Sequence, residues 1–310
     1  MVNLWVVNTD NDWFDFLSAR TGLDEVNFWQ PSGRTDFHAL TPGELFVFRL
    51  KAPRNVIGGF GVFSHASRLP VSLAWEAFGE KNGARDFAEM RHRVSRYRGE
   101  PDGANLDYVI GCRILTQPIF LPEIAWIPLP ASWPRNVQVG KVYGTDEAEG
   151  RALWDRIVQA GLAASALNLF EQAAEPTARY GEPTLVRPRL GQGAFRIAVT
   201  DAYGRECAVT GGRVLPALEA AHIRAYGEGG AHEVSNGLLL RRDIHSVFDA
   251  GYVTIDPDLR FVVSDRVKTD FNNGNEYRRL HGTLLKAPTD ARFAPSREAL
   301  DWHNRERFLG

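Results

Sequence analysis

Apolar residues in the first part of the chain come in short dense runs separated by polar punctuation, the signature of strands buried on both faces. Residues 3–8 (NLWVVN) predict a buried strand, and the polar turn Asn8-Thr9-Asp10-Asn11-Asp12 leads into a short helix over 13–19. FWQPSG (28–33) reads as an aromatic-rich loop, and PGELFVFRLK (42–51) as a turn followed by a strand. Its partner is NVIGGFGVFSHAS (55–67), whose paired glycines predict a bulge or a close backbone approach. Residues 70–80 and 84–98 carry helical patterns, and YVIGCRILTQPIFL (108–121) is a further strand in which Pro118 favours an edge or a bend.

The pattern changes between 145 and 172 to one long helix, with Asp146, Glu147 and Glu149 near its start and Leu153, Ile157, Leu162 and Leu169 as its apolar stripe. A Pro-punctuated linker follows at 173–189. GQGAFRIAVTDAYGRECAVTG (191–211) then predicts a helix followed by a strand. LEAAHI ends one strand of a hairpin, AYGEGGAHEVS is its Gly-rich loop, and NGLLL begins the return strand. RRDIHSVFDAG reads as a helix stopped by Gly251. The whole is an α+β protein: a barrel-type domain over 1–145, a helix and linker over 146–186, and a second domain over 187–310.

Composition narrows this little. At 310 residues the chain exceeds a usual single core, which supports two domains. No apolar run reaches the length of a membrane span, and the opening MVNLWVVNTDNDW lacks the basic and apolar regions of a secretory signal, so the expected location is the cytoplasm. Cys112 and Cys207 are the only cysteines, too few for a disulfide framework or a cysteine-rich zinc site. A net charge of −2 neither supports nor excludes nucleic acid, because affinity follows where basic residues cluster. Arg187, Arg189, Arg196 and Arg205 form one such cluster and Arg241–Arg242 another; both also fit an ordinary solvated surface.

The chemistry concentrates between Leu218 and Asp249. His222 is followed fourteen residues later by Asn236 and nine beyond that by His245. An imidazole titrates near working pH, so His222 is a candidate general base for activating water. Asn236 is placed to lock the loop that carries it. His245 and Asp249 are four apart on a helix, so both project from one face and form a candidate metal pair. A single histidine in an apolar segment is more often a hydrogen-bonded core residue, and Asp249 alone could be a surface charge. The joint pattern favours a catalytic site.

His222, Asn236 and His245 occupy the three positions that name the HNH, or ββα-metal, nuclease family. CAVTG (207–211), LEAAHI, NGLLL and HSVFDAGYVTID (245–256) also resemble that family, over about residues 187–260. The resemblance implies a divalent metal, Mg²⁺ or Mn²⁺, that binds a non-bridging phosphate oxygen and the leaving oxygen. Two departures stand out. Many HNH nucleases carry a metal ligand directly before the base, where this chain has Ala221, so Asp249 or Glu219 is left to compensate. Many also hold a structural zinc on paired cysteines, which this chain lacks.

In the first domain WVVNTDNDWFDFL, NFWQPSG and PGELFVFRL resemble the EVE domain, a relative of the PUA fold that binds modified or extruded bases. An EVE-like domain followed by an HNH domain is similar to modification-dependent restriction endonucleases, and LPEIAWIPLPASWPRNVQVGKVY (121–143) fits that architecture. The implied partner is double-stranded DNA carrying 5-methylcytosine or 5-hydroxymethylcytosine, with the base flipped into the first domain. Trp13, Phe28, Trp29 and Trp75 are the candidate pocket aromatics, with Asn11, Asp12 and Asn27 as candidate polar readers. Aromatics near strand ends are more often core plugs than stacking platforms, and Trp5 and Phe46, inside apolar strands, are read as core. Arg91, Arg93, Arg96 and Arg98 either track phosphates or form a solvated helix face. One site cuts one strand, so double-strand cleavage calls for a homodimer or two events. A non-catalytic modified-base binder is the alternative, and an RNA substrate ranks last because no single-strand RNA signature is present.

Overall fold

Strand β1 (Asn3–Thr9) shows why its run is apolar throughout. Leu4 and Val6 pack into one core while Trp5 and Val7 pack into another on the opposite face. In the computed structural model, which describes residues 1–33, 36–99, 107–134, 136–169, 183, 185–186 and 188–310, the chain divides into two units, Met1–Arg189 and Leu190–Gly310. For residues 164–169 only the backbone is described.

The first unit continues with α1 (Asn11–Ser18), β2 (Glu25–Gln30), β3 (Leu45–Leu50), β4 (Val56–Pro70), α2 (Val71–Phe78), α3 (Phe87–Arg98), β5 (Val109–Phe120), β6 (Ile127–Pro128), β7 (Gly140–Gly144) and α4 (Ala148–Leu169). Its strands form one seven-stranded sheet in the order β2-β5-β4-β3-β1-β7, with β6 beside β4. Only the β1–β3 ladder is parallel among these pairs. β3 repeats the two-faced pattern of β1: Leu45 and Val47 join one core, Phe46, Phe48 and Leu50 the other. Helix α1 starts where Asp10 accepts the backbone N–H of Asp12, and it buries Trp13, Phe14 and Leu17.

Several expectations are corrected here. Phe28, Trp29 and Gln30 lie in strand β2, paired with β5, and the loop begins only at Pro31. The ladder with β5 supplies backbone partners that the aromatic and proline pattern did not reveal. Pro118 does mark a bend: Gln117 has φ 51° and donates its N–H to the Asp24 carbonyl, just past the end of the β2 ladder. In α4 Leu153 and Ile157 are buried together with Trp154, but Leu162 is exposed, and the Leu169 side chain lies outside the described residues. Most of the linker over 173–189 also falls outside them.

The second unit contains α5 (Gln192–Ala202), β8 (Leu218–His222), β9 (Gly237–Arg241), α6 (Arg242–Asp249), β10 (Val253–Ile255), β11 (Phe261–Val263), α7 (Arg266–Phe271), α8 (Asn275–Arg278) and α9 (Arg297–Glu306). The helix expected at the start of 191–211 is α5, but no strand follows it. Residues 203–206 are turns, and the Cys207–Gly212 segment is a tight loop closed by the Cys207 N–H to the Gly212 carbonyl. β8 and β9 form the expected antiparallel hairpin, and α6 follows directly, ending at Gly251 with φ 79°. One core unites Phe195 and Val199 of α5, Leu238 to Leu240 of β9, and Ile244 and Phe248 of α6 with Leu300 of α9. The tail over 270–310 is therefore part of this unit. The architecture is mixed α+β in the first unit and ββα-centred in the second. No described helix is long and apolar enough to cross a membrane.

The paired glycines of β4 are a close approach as well as an irregularity. A Cβ on Gly59 would lie 2.3 Å from the Ile119 carbonyl oxygen of β5, and one on Gly58 2.8 Å from Leu50 and Phe14. Gly59→Ala should therefore lower stability by about 2 to 4 kcal/mol, read as a shift of the urea midpoint at unchanged slope. A shift below about 0.5 kcal/mol would show that the β4–β5 ladder yields without cost.

A ββα candidate active site

His222 is the last residue of β8 and faces Gly237 across the ladder. Because Gly237 has no side chain, α5 can come in close: a Cβ there would sit 2.5 Å from Val199 and 3.0 Å from Phe195. The Phe195 ring takes that space and stacks on the His222 imidazole at 3.9 Å between centroids and 10° between planes. Burial, reinforced by the nearby His232 and His245, pushes the His222 pKa down to about 4, with Asp249 opposing. The ring is accordingly neutral at physiological pH, as a general base must be.

Asn236 occupies the turn just before β9 and is buried. Its Oδ1 accepts the Arg224 N–H, and its Nδ2 donates to the carbonyls of Arg224 and Ala231 at 2.9 Å each. Its own carbonyl accepts the Ile223 N–H. One amide thus ties Arg224 and Ala231, on either side of the loop's glycines, to the hairpin. Gly230 is required inside this clamp, since a Cβ would lie 1.9 Å from the Arg224 carbonyl oxygen.

His245 lies on α6 with Asp249 one turn on. Its Nδ1 is 2.9 Å from Glu219 Oε2 and its Nε2 is 3.2 Å from Asp249 Oδ2. Burial opposes protonation of this ring, but the two carboxylates outweigh it and raise its pKa above the ordinary imidazole value. Glu219, one ladder pair from the strand's start, also bonds Arg242. His222, His245, Asp249 and Glu219 line a common cavity of about 490 Å³, with Arg196 of α5 and Trp302, His303 and Arg307 of the C-terminal segment.

Among the described residues no three His, Cys, Asp or Glu side chains converge closely enough to enclose an ion by themselves. His245 and Asp249 nevertheless offer an imidazole nitrogen and a carboxylate on one helix face. That donor pair suits a hard divalent ion completed by water and phosphate oxygens. Ala221 is fully buried and contributes no donor.

Sequence reasoning missed three contributors. His232 in the Gly-rich loop places its Nδ1 2.9 Å from His222 Nε2. Phe195 supplies the stacking plane, and α9 supplies one wall. A second histidine ten residues after the first was visible as a signal; the wall was not, because it lies eighty residues away in sequence. Of the arginine clusters, Arg196 lines the cavity, whereas Arg205 pairs with Asp201 and Arg241 with Asp243. Arg187 is outside the described residues.

In the first unit Trp13, Phe28 and Trp29 come together around a recess of about 180 Å³; Trp75 does not, and packs instead near Phe87. Trp13 and Phe28 are buried edge to face in the core, so only Trp29 stands at the rim, T-shaped against Tyr97. The polar groups lining this recess are Asn8, Asp10, Gln30, Lys51, Arg93 and Gln138 rather than the expected Asn11, Asp12 and Asn27. Asn27 is spent on Asn82, and the Asn11 amide on the carbonyls of Lys51 and Ala52. Tyr97 donates its hydroxyl proton to Asp10. Burial works to raise the Asp10 pKa, but Tyr97, Lys51 and backbone N–H groups together bring it below the usual value. Of the basic residues on α3, Arg93 bonds Glu89 and the Gly83 carbonyl and Arg98 the Pro31 carbonyl.

Residues 207–256 match the HNH endonuclease family, so the second unit carries an HNH endonuclease domain. No curated protein matches the chain. Among solved structures, the ASCH protein from Zymomonas mobilis is similar at 9% identity and TM-score 0.35, over 48% of this chain and 94% of that one. A modification-dependent restriction endonuclease, TagI, is similar at 14% identity and TM-score 0.28, over 94% of this chain and 78% of its own.

His303, buried in the wall, gives this unit a pH signature. Its Nε2 donates to the Phe248 carbonyl at 3.1 Å, so its Nδ1 accepts from the Thr254 hydroxyl at 2.8 Å. Burial lowers its pKa to about 4. A ring that stays neutral when folded but takes up a proton when unfolded costs stability as pH falls from its ordinary value of about 6.5 to about 4, with no further loss below. The loss should approach 3 kcal/mol from this group alone. Urea melts at pH 7 and pH 4 should show a smaller difference for His303→Gln than for the parent; equal differences would remove His303 as the cause.

Proposed function

We propose that this protein is a metal-dependent DNA endonuclease in which the first unit inspects a modified cytosine and the HNH domain hydrolyses a phosphodiester nearby. The observation that carries the reading is the shared cavity, where a neutral, half-buried His222 and the His245–Asp249 pair meet within the segment that matches the HNH endonuclease family. His222 takes the proton of the attacking water. Asn236 fixes the loop on which this depends, and Arg196 adds positive charge for the phosphate. His245 and Asp249 would hold a divalent ion, Mg²⁺ or Mn²⁺. When bound, it supplies positive charge to the phosphate oxygens and the leaving oxygen. Glu219 orients the His245 ring through Nδ1.

The recess beside Trp29 supports the reader role. At about 180 Å³ it is smaller than the ~300 Å³ of a drug-sized site and suits a single heterocycle. Aromatic rim and carboxylate together provide a stacking plane and an acceptor for an exocyclic amine. One catalytic cavity per chain cuts one strand, so a double-strand break takes a homodimer or two successive events.

Matched plasmids that are unmodified, 5-methylcytosine-containing or 5-hydroxymethylcytosine-containing test both halves in Mg²⁺, Mn²⁺ or EDTA. Cleavage should be confined to modified DNA and lost in EDTA; equal cutting of all three would discard the reader. His222→Ala should lower cleavage by about 10²- to 10⁴-fold while selective binding persists. Trp29→Ala should reduce the preference for modified over plain DNA. No cutting by the parent under any metal, with selective binding retained, would favour a non-catalytic modified-base binder.

A further inference from the structure

His222 uses one ring nitrogen on a partner that the nuclease motif does not include. His222 Nε2 and His232 Nδ1 are 2.9 Å apart, with ring centroids 5.0 Å apart and planes at 61°. Both rings are held in parallel stacks, His222 by Phe195 and His232 by Tyr226 at 4.5 Å and 9°. The Asn236 amide anchors the carbonyl of Ala231, immediately before His232, so the clamp that positions the loop also positions this ring. Tyr226 is 66% exposed and His232, like His222, is half-buried, so the far side of the pair opens toward solvent past Tyr226. His232 does not line the reaction cavity.

Two tautomer arrangements satisfy one hydrogen bond between neutral imidazoles. If His232 donates, His222 carries its proton on Nδ1 and has no lone pair left for water. If His222 donates through Nε2, its Nδ1 lone pair is free. Only the second arrangement makes a base. We propose that His232 is the positioning residue and proton acceptor for His222, its Nδ1 receiving the His222 Nε2–H bond and then the proton itself. This rests on the endonuclease reading of the same site.

The transfer balances. Water gives a proton to His222 Nδ1 as its oxygen attacks phosphorus; the His222 Nε2 proton crosses to His232 Nδ1; His232 releases its Nε2 proton to solvent. Phe195 covers one face of the His222 ring, and the His232 acceptor 2.9 Å from Nε2 offers a path for its second proton. The titratable and charged groups facing the pair are His245 and Asp249 from α6 on the His222 side and Tyr226 on the His232 side, and Glu219 and Arg196 line the same cavity.

Full-length parent, His232→Phe and His232→Asn should be compared in single-turnover cleavage of modified DNA across about pH 5 to 8. Phe keeps the stack on Tyr226 but has no acceptor; Asn keeps an acceptor near the Nδ1 position but cannot take up a proton. The expected result is a loss of about 10- to 100-fold for Phe with an altered pH profile, partial recovery for Asn, and unchanged DNA affinity in both. ¹⁵N spectra of histidine-labelled parent should show His222 protonated on Nε2. A His232→Phe variant that cuts at the parental rate with the same pH profile overturns the proposal, as does a His222 proton on Nδ1. If the parent cuts no DNA at all, the endonuclease reading falls instead, and the ¹⁵N tautomer still reports on the pair by itself.

Discussion

The pairing of His222 with Gly237 across the β8–β9 ladder is the constraint on which the second unit depends. A side chain at Gly237 would collide with Val199 and Phe195, and α5 would have to stand off. Phe195 would then lose its stack on His222, and the ring would regain water and an ordinary affinity for protons. The same register puts Asn236 beside the strand end, within reach of both ends of the Gly-rich loop. A one-residue slip would turn every side chain of the hairpin to the other face and separate these groups at once. Packing, electrostatics and loop geometry at the site are thus three readings of one register.

The charge arrangement inside the cavity is asymmetric. His222 is surrounded by aromatic and imidazole rings and is held neutral. His245, about one helix turn from Asp249 and opposite Glu219, sits in a negative environment that favours a cation, whether proton or metal. Two histidines of the same chain are therefore pushed in opposite directions by their neighbours, one toward the neutral form and one toward the charged form.

Much of this was legible in the residues because the forces responsible are local. The two-faced apolar runs of β1 and β3, the hairpin and α6 with its glycine stop follow from period and turn chemistry, which act over a few residues. The loop expected at Phe28–Gln30 is a strand because β5, far along the chain, supplies its partners. The strand expected after α5 is absent because Cys207 and Gly212 close a tight loop instead. His222, Asn236, His245 and Asp249 were all identifiable from spacing. His232 as partner of His222, and Trp302, His303 and Arg307 as a cavity wall, depend on tertiary contacts that no spacing rule encodes. In the first unit Trp13, Phe28 and Trp29 do gather round one recess, but Asp10, first seen only as part of a polar turn, is the carboxylate beside it.

The C-terminal segment is stitched into the second unit at several points. Leu309 donates to the Gly251 carbonyl, Ser264 donates to the Leu309 carbonyl, and Arg307 pairs with Glu228 of the Gly-rich loop. In sequence order His222 and His245 therefore come well before α9, the helix that walls the cavity they line. Without α9 the hairpin and α6 would still carry His222 and His245, but the cavity they share would lack the wall of Trp302 and His303.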